Sequence, residues 1–258
     1  MKRMILSATN KGGVGKSYVV ANIVQYLKEH PSKPSFRCFD PDHANKTLLG
    51  IHPDVTEFID VSQPQSLDKV CACLADVDVS VADGLGSQQR KTFQKWVEEI
   101  DLLQLAKDIG FRVTYLLVIE DDQTVLDQTI QIVDLMEDKV DWVVALNHKQ
   151  VHGVFQLWST SKIRQRLQDY GALEFDVENI HAHMSLHLSM QKLCLSNVQD
   201  WKPKEGELPV NAMDRARFKT AWIRLKAELD KAAPYLLPEG GEAIAKTATA
   251  SKRRNDLN

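Results

Sequence analysis

The stretch Asn10-Lys11-Gly12-Gly13-Val14-Gly15-Lys16-Ser17 decides how the chain reads. An apolar run, Met4-Ile5-Leu6-Ser7-Ala8, leads into it, and Tyr18 to Leu27 leaves it with helical spacing. Strand, glycine loop and helix together make the setting of a phosphate-binding loop. The glycines let the backbone curl until several N–H groups converge on one point. The helix N-terminus adds the positive end of its dipole there. Gly12, Gly13, Val14 and Gly15 are therefore expected to cradle phosphate. Lys16 is expected to reach the β- and γ-phosphates, and the Ser17 hydroxyl to ligate Mg²⁺. The spacing fits G-x-x-x-x-G-K-[ST] with Asn10 in the place of the first glycine.

Lys11 sits where most nucleotide loops carry a small residue. This departure resembles the deviant P-loop, K-G-G-x-G-K-[ST], of the ParA/MinD family of ATPases. The resemblance covers residues 2–150; beyond them only the strand–helix rhythm agrees. It implies ATP and Mg²⁺ as cofactors and a homodimer that closes on ATP. It also implies that Lys11 crosses to the nucleotide of the other subunit. The pattern Asp40 to Thr47, D-x-D-x-x-N-x-T, looks closest to the plasmid stability and conjugal-transfer branch.

Ligands in parallel sheets bind beyond the carboxyl ends of the strands, and three further strand ends carry suitable chemistry. Asp40-Pro41-Asp42 looks like the family's switch I. By that match Asp42 orients the attacking water and Asp40 lies near the metal, while helix capping is the plainer use of an Asp here. Val79-Ser-Val-Ala-Asp83 ends like a Walker-B strand, so Asp83 is expected to hold a Mg²⁺-bound water. Gly84 and Gly86 follow where partition ATPases carry prolines. Asn147 closes the strand Trp142 to Leu146. In the relatives an Asn here meets the adenine ring, and its amide offers both a donor and an acceptor.

Further strands are read at 35–39, 55–61, 77–82, 113–119, 141–146 and 173–177. Helices are read at 67–75, 93–109, 124–136, 154–170, 184–195 and 213–229, with a helical turn at 46–49. Val113 to Ile119 is the most apolar strand, as a strand buried on both faces should be. On the helix that follows, Val125, Ile132 and Leu135 are expected to share a face. The alternation predicts an α/β fold: a mostly parallel central sheet flanked by helices on both faces, a P-loop NTPase of the deviant Walker A class. Residues 1–237 are read as one domain. Residues 238–258, poor in large apolar side chains, are read as a disordered tail.

The chain has 258 residues, 43% of them hydrophobic, and a net charge of −3. Residues 200–258 carry +3 and the remainder −6, which places a modest basic bias at the C-terminal end. No apolar run approaches the ~20 residues of a membrane span. No secretory pattern follows Lys2-Arg3, and Cys38, Cys71, Cys73 and Cys194 form no C-x-x-C pair. These features lead to a cytoplasmic expectation with reduced thiols and no membrane insertion. Glu120-Asp121-Asp122 is read as a solvated loop or helix cap. Lys149, Lys162, Arg164 and Arg166, with Trp158 nearby, form either a DNA-facing surface or a solvated helix face. The functional expectation is a slow ATPase switch that positions or segregates DNA, stimulated by a small partner protein and binding DNA without sequence preference. A positioning ATPase for another cargo and a non-hydrolysing scaffold are the alternatives.

Overall fold

The first strand, β1 (Lys2–Ser7), is buried along almost all its length and lies inside the sheet, although it comes first in the chain. The computed structural model describes residues 1–7, 11–84, 90–149, 154–207 and 209–239. After β1 come α1 (Lys16–Glu29), β2 (Phe36–Asp40), α2 (Thr47–Ile51), β3 (Thr56–Phe58), α3 (Pro64–Ala72) and β4 (Val79–Ala82). Then follow α4 (Arg90–Glu99), α5 (Leu102–Ile109), β5 (Phe111–Ile119), α6 (Gln123–Met136) and β6 (Asp141–Asn147). The chain continues through α7 (Gln156–Thr160), α8 (Lys162–Asp169), β7 (Leu173–Val177), α9 (Ala182–Gln191) and α10 (Ala212–Leu236).

Among the described residues seven strands form one sheet in the order β3-β2-β4-β1-β5-β6-β7, and every pair in it is parallel. The expected α/β class and parallel sheet are observed. Parallel strands joined by helices are covered on both faces, so they read as apolar runs rather than alternations. β5 shows this most fully, with all but Arg112 of its nine residues buried.

Two expected helices are broken. The apolar spacing of 93–109 runs on, yet α4 and α5 are separate. Asp101 between them adopts φ +44° and accepts the amide of Gln104 at 3.4 Å, which caps α5. Ser161 likewise divides 154–170: its hydroxyl donates to the Trp158 carbonyl at 2.7 Å and accepts the Arg164 amide at 3.2 Å. Serine and aspartate compete for nearby backbone groups and so favour helix starts over helix interiors. On α6, Val125 and Ile132 are buried as expected, whereas Leu135 is exposed and Thr129, Val133 and Met136 complete the inner face.

α10 runs past the expected end at Leu229, through Pro234. Its last carbonyls find partners at the foot of the sheet. Arg3 donates to the Pro234 and Leu237 carbonyls at 2.9 and 3.0 Å, and the Thr114 hydroxyl donates to that of Tyr235 at 2.7 Å. The four final carbonyls of a helix lack intrahelical partners, so this set closes the end of α10. Arg3 is buried and ion-paired with Asp141, which also binds Arg112. Among the described residues no helix is long and apolar enough to cross a membrane. Of the expected tail, residues 240–258 lie outside the described residues.

Candidate functional site

β1 launches the glycine loop between β4 and β5, so the ends of three adjacent strands meet at one place. Gly15 caps α1 with φ +90°, and Gly13 has φ +82°. Both values lie where glycine is favoured. A Cβ on Gly15 would stand 2.4 Å from Asn147 Nδ2. Val14 is fully buried beneath the loop. Asn10 lies outside the described residues.

The loop borders a cleft of about 1060 Å³ lined by Gly12, Lys16, Ser17, Asp42, Asp83 and Gly84 among others. A second cavity of about 860 Å³ shares Gly15, Tyr18, Thr47 and Ser189 with it and continues along α9. Lys16 Nζ donates to the Lys11 carbonyl at 2.7 Å. Burial lowers the pKa of the Lys16 ammonium, and the charges of Asp83 and Glu120 oppose that shift. The glycines, Lys16 and Ser17, which the sequence reading expects to hold phosphate, thus lie together at one helix N-terminus beside the cleft.

Asp83 is fully buried, and its Oδ1 has no hydrogen-bond partner. The Ser17 hydroxyl faces its carboxylate across the same cleft and helps to lower its pKa. Burial pushes its pKa up from 3.8 to about 6, the Ser17 hydroxyl and the Lys16 charge work against that shift, and Asp40 adds to it. A buried carboxylate with a bare oxygen beside a serine hydroxyl is a fitting donor pair for a hard divalent cation. Gly84 has φ +66°, and Gly86 lies outside the described residues.

Asp40 and Asp42 of the expected switch I both line the cleft, and both also bond amides of their own loop. Asp40 Oδ1 accepts the Asp42 amide and Oδ2 the Leu49 amide, both at 3.0 Å. Asp40 thereby shapes the loop and the start of α2 while lying beside Asp83 in the cleft that Ser17 also lines. Asp42 lines the cleft, and its Oδ1 accepts the amides of Ala44 and Asn45 at 2.9 and 3.1 Å. Burial alone would raise the Asp42 pKa, and these bonds, with the Asn45 side chain, hold it below the usual value. Lys192, just after α9, donates to the Asn45 carbonyl at 3.2 Å and ties this loop to that helix.

Asn147 lines the second cavity and also braces the glycine loop. Its Nδ2 donates to the Val14 carbonyl at 2.7 Å and its Oδ1 accepts the Lys149 amide at 3.2 Å. The amide expected to read adenine thus uses one N–H and one oxygen lone pair on the loop and keeps one of each. Lys149 Nζ adds a second brace, donating to the Gly13 carbonyl at 3.1 Å. Replacing Gly15 by Ala should break the Asn147 brace and strain the cap. We expect Mg-ATP affinity, by calorimetry, to fall roughly ten- to a hundredfold. Unchanged affinity would mean the loop does not depend on that close approach.

Of the acidic trio, Asp121 accepts the amides of Gln156 and Trp158, and Asp122 caps α6. These two act as caps. Glu120 does not: it is buried at the end of β5, and its Oε1 has no partner. The sequence reading gives Glu120 to a solvated loop or cap and Lys149 to a DNA-facing or solvated surface, and does not place either at the glycine loop. The available signal was an acid directly after the most apolar strand, and a lysine two residues past a strand-ending Asn.

The basic surface is mostly paired. Arg164 binds Glu174 at 2.9 Å, Arg166 binds Asp134, and Trp158 is fully buried, out of reach of a nucleic-acid base. On α10, Arg217, Arg224 and Lys226 pair with Asp214, Glu178 and Glu29 at 2.7, 3.2 and 3.4 Å.

No protein-family model matches the chain, and no curated protein does. Among solved structures it is similar to the septum site-determining protein MinD of Pyrococcus horikoshii in complex with Mg-ADP. That pair shares 16% identity over 92% of this chain and 99% of that one, with a TM-score of 0.48. It is also similar to the MinD cell division protein of Aquifex aeolicus, at 14% identity over 88% and 98% of the two chains and a TM-score of 0.46. Apo McdA of Cyanothece matches at 13% identity over 89% and 99%, again with a TM-score of 0.46.

Proposed function

We propose that the chain is an ATP-driven positioning switch of the ParA/MinD kind. Two copies close face to face on ATP, hydrolyse it slowly with a partner protein's help, and part. The observation that carries this reading is Asp83, buried beside Ser17 and Lys16 with one oxygen unsatisfied. Such a group is costly unless a cation completes it. Ser17 and Asp83 would hold Mg²⁺, which supplies charge neutralisation to the phosphates. Gly12 to Gly15 supply the amide cradle, and Lys16 meets the β- and γ-phosphates. Asp42, on the wall of the cleft, orients water, since a loose phosphoryl transition state needs orientation more than a strong base. Lys11 neutralises charge on the partner's nucleotide.

Mixed subunits test the reading. Lys11→Ala and Asp42→Ala chains should each lose turnover. In a mixture, the site on the Lys11→Ala chain keeps its own Asp42 and receives Lys11 from the other chain. We expect phosphate release to recover in part. No recovery in a mixture shown to form heterodimers would mean that Lys11 acts within its own subunit.

For the cargo, DNA is one reading, and it would bind without regard to sequence and with salt sensitivity. The ion pairing of Arg164, Arg166, Arg217, Arg224 and Lys226 favours a second reading, a positioning ATPase for a cargo other than DNA. Fluorescence anisotropy of a random duplex with Mg-ATP at low salt separates them: binding supports DNA, and its absence supports the other cargo.

A further inference from the structure

We infer that Glu120 and Asp122 are positioning residues for Lys11, holding its ammonium over its own subunit until a second copy takes it. The inference rests on the switch reading above. Lys11 Nζ lies 3.1 Å from Asp122 Oδ2 and 3.7 Å from Glu120 Oε2. The lysine acts across two copies only after leaving both carboxylates.

These acids are not loose surface chains. Asp122 uses its Oδ1 to accept the amides of Thr124 and Val125 at 2.9 and 3.3 Å, so the start of α6 fixes the carboxylate that meets the lysine. Glu120 is buried at the end of β5, directly beside the strand that launches the glycine loop. With its Oε1 unpartnered, the Lys11 pairing is the only cation contact within salt-bridge distance of Glu120 among the described residues. A carboxylate in that setting holds its counter-charge more firmly than an exposed one does.

Lys11 is held at a second point. Its carbonyl accepts Lys16 Nζ at 2.7 Å. Phosphate entering the loop competes for the Lys16 ammonium and frees that carbonyl. The lysine side chain then stays with the acids until a stronger anion is presented from outside. A γ-phosphate on a facing copy is such an anion. The acidic pair thereby sets a threshold: phosphate in its own loop frees the backbone, and only the partner's nucleotide draws the side chain away.

Two measurements test this on the full chain. Carbodiimide coupling, which joins a touching amine and carboxylate directly, should link Lys11 to Asp122 without nucleotide, as mapped by mass spectrometry. The link should be lost in Mg-ATP at concentrations where dimers form. No link without nucleotide, or an equal yield in the dimer, overturns the inference. Asp122→Asn keeps the oxygen that caps α6 and removes the charge. We expect its dimer dissociation constant in Mg-ATP to fall about fivefold, with monomer ATP affinity unchanged and Asp122→Glu restoring the original value. An unchanged or raised dimer constant in a wild-type background that dimerises removes this inference alone. A wild-type chain that binds ATP and stays monomeric removes the switch reading and this inference together.

Discussion

Asp141→Ala should destabilise the protein by about 3–5 kcal/mol, the range for breaking a buried ion pair from one side. Asp141 and Arg3 are both buried at the foot of the sheet, and Asp141 bridges Arg3 to Arg112. An arginine cannot shed its proton to escape burial. Without the carboxylate, Arg3 keeps only neutral partners: the Thr114 hydroxyl at 3.1 Å and two carbonyls. A loss of that size is a large share of the ~5–15 kcal/mol typical of a folded domain. Urea unfolding at pH 7 reads it as a shift of the midpoint. Asp141→Asn should fall between, because it keeps the shape and loses the charge. A cost under about 1 kcal/mol for Asp141→Ala would show that Arg3 does not depend on this counter-charge.

Asp83→Asn should act in the opposite direction and stabilise the protein at pH 8 when no nucleotide is added. The folded pKa of Asp83 is about 6 against 3.8 for an ordinary Asp. The folded state therefore binds the proton more tightly than the unfolded chain does. Stability falls as pH rises from about 4 to 6, and above that window the cost is about 3 kcal/mol. His52 has the reverse slope. Burial lowers its pKa from 6.5 to about 4, outweighing its bond to the Ala21 carbonyl, so stability falls as pH drops through that range. The two slopes oppose each other in the natural chain. Asn at position 83 removes one, so the variant should be about 2–3 kcal/mol more stable at pH 8 and should lose that advantage towards pH 4. The same variant should gain little from added Mg-ATP, while the natural chain is stabilised by it. A variant less stable than the natural chain at pH 8 would contradict the isolation of Asp83 in its pocket.

Much of this fold can be read in the sequence because buried parallel strands announce themselves as apolar runs. Leu173 to Val177 matches its strand to the residue, and β5 and β6 differ from expectation by two residues or fewer. The breaks at Asp101 and Ser161 were hidden because the apolar spacing continues across them. What stops those helices is one left-handed residue and one side-chain cap. The continuation of α10 was hidden for another reason: Pro234 suggests an ending, and the groups that carry the helix past it sit on β1 and β5. The site divides in the same way. Local motifs made the glycine loop and Asp83 legible. The roles of Asn147 and Lys149 are contacts to Val14 and Gly13, separated from them by 133 and 136 positions, and no spacing rule reaches that far. Asp40 and Asp42 look alike in the sequence, and only the amides around them show that both are engaged in shaping one loop.

The clasp between Arg3 and the end of α10 also bears on how the molecule is made. The two bonded residues, Arg3 and Leu237, are separated by 234 positions. On a ribosome, β1 emerges before β4 and β5 and has neither neighbour until they have followed. Its foot stays open until the last turn of α10 is synthesised. Contacts of such long sequence separation make folding slow, and exposed strands invite association with other chains in the meantime. The end of α10 is thus the seal on the core, and the newborn chain is most exposed to misassembly until it is in place.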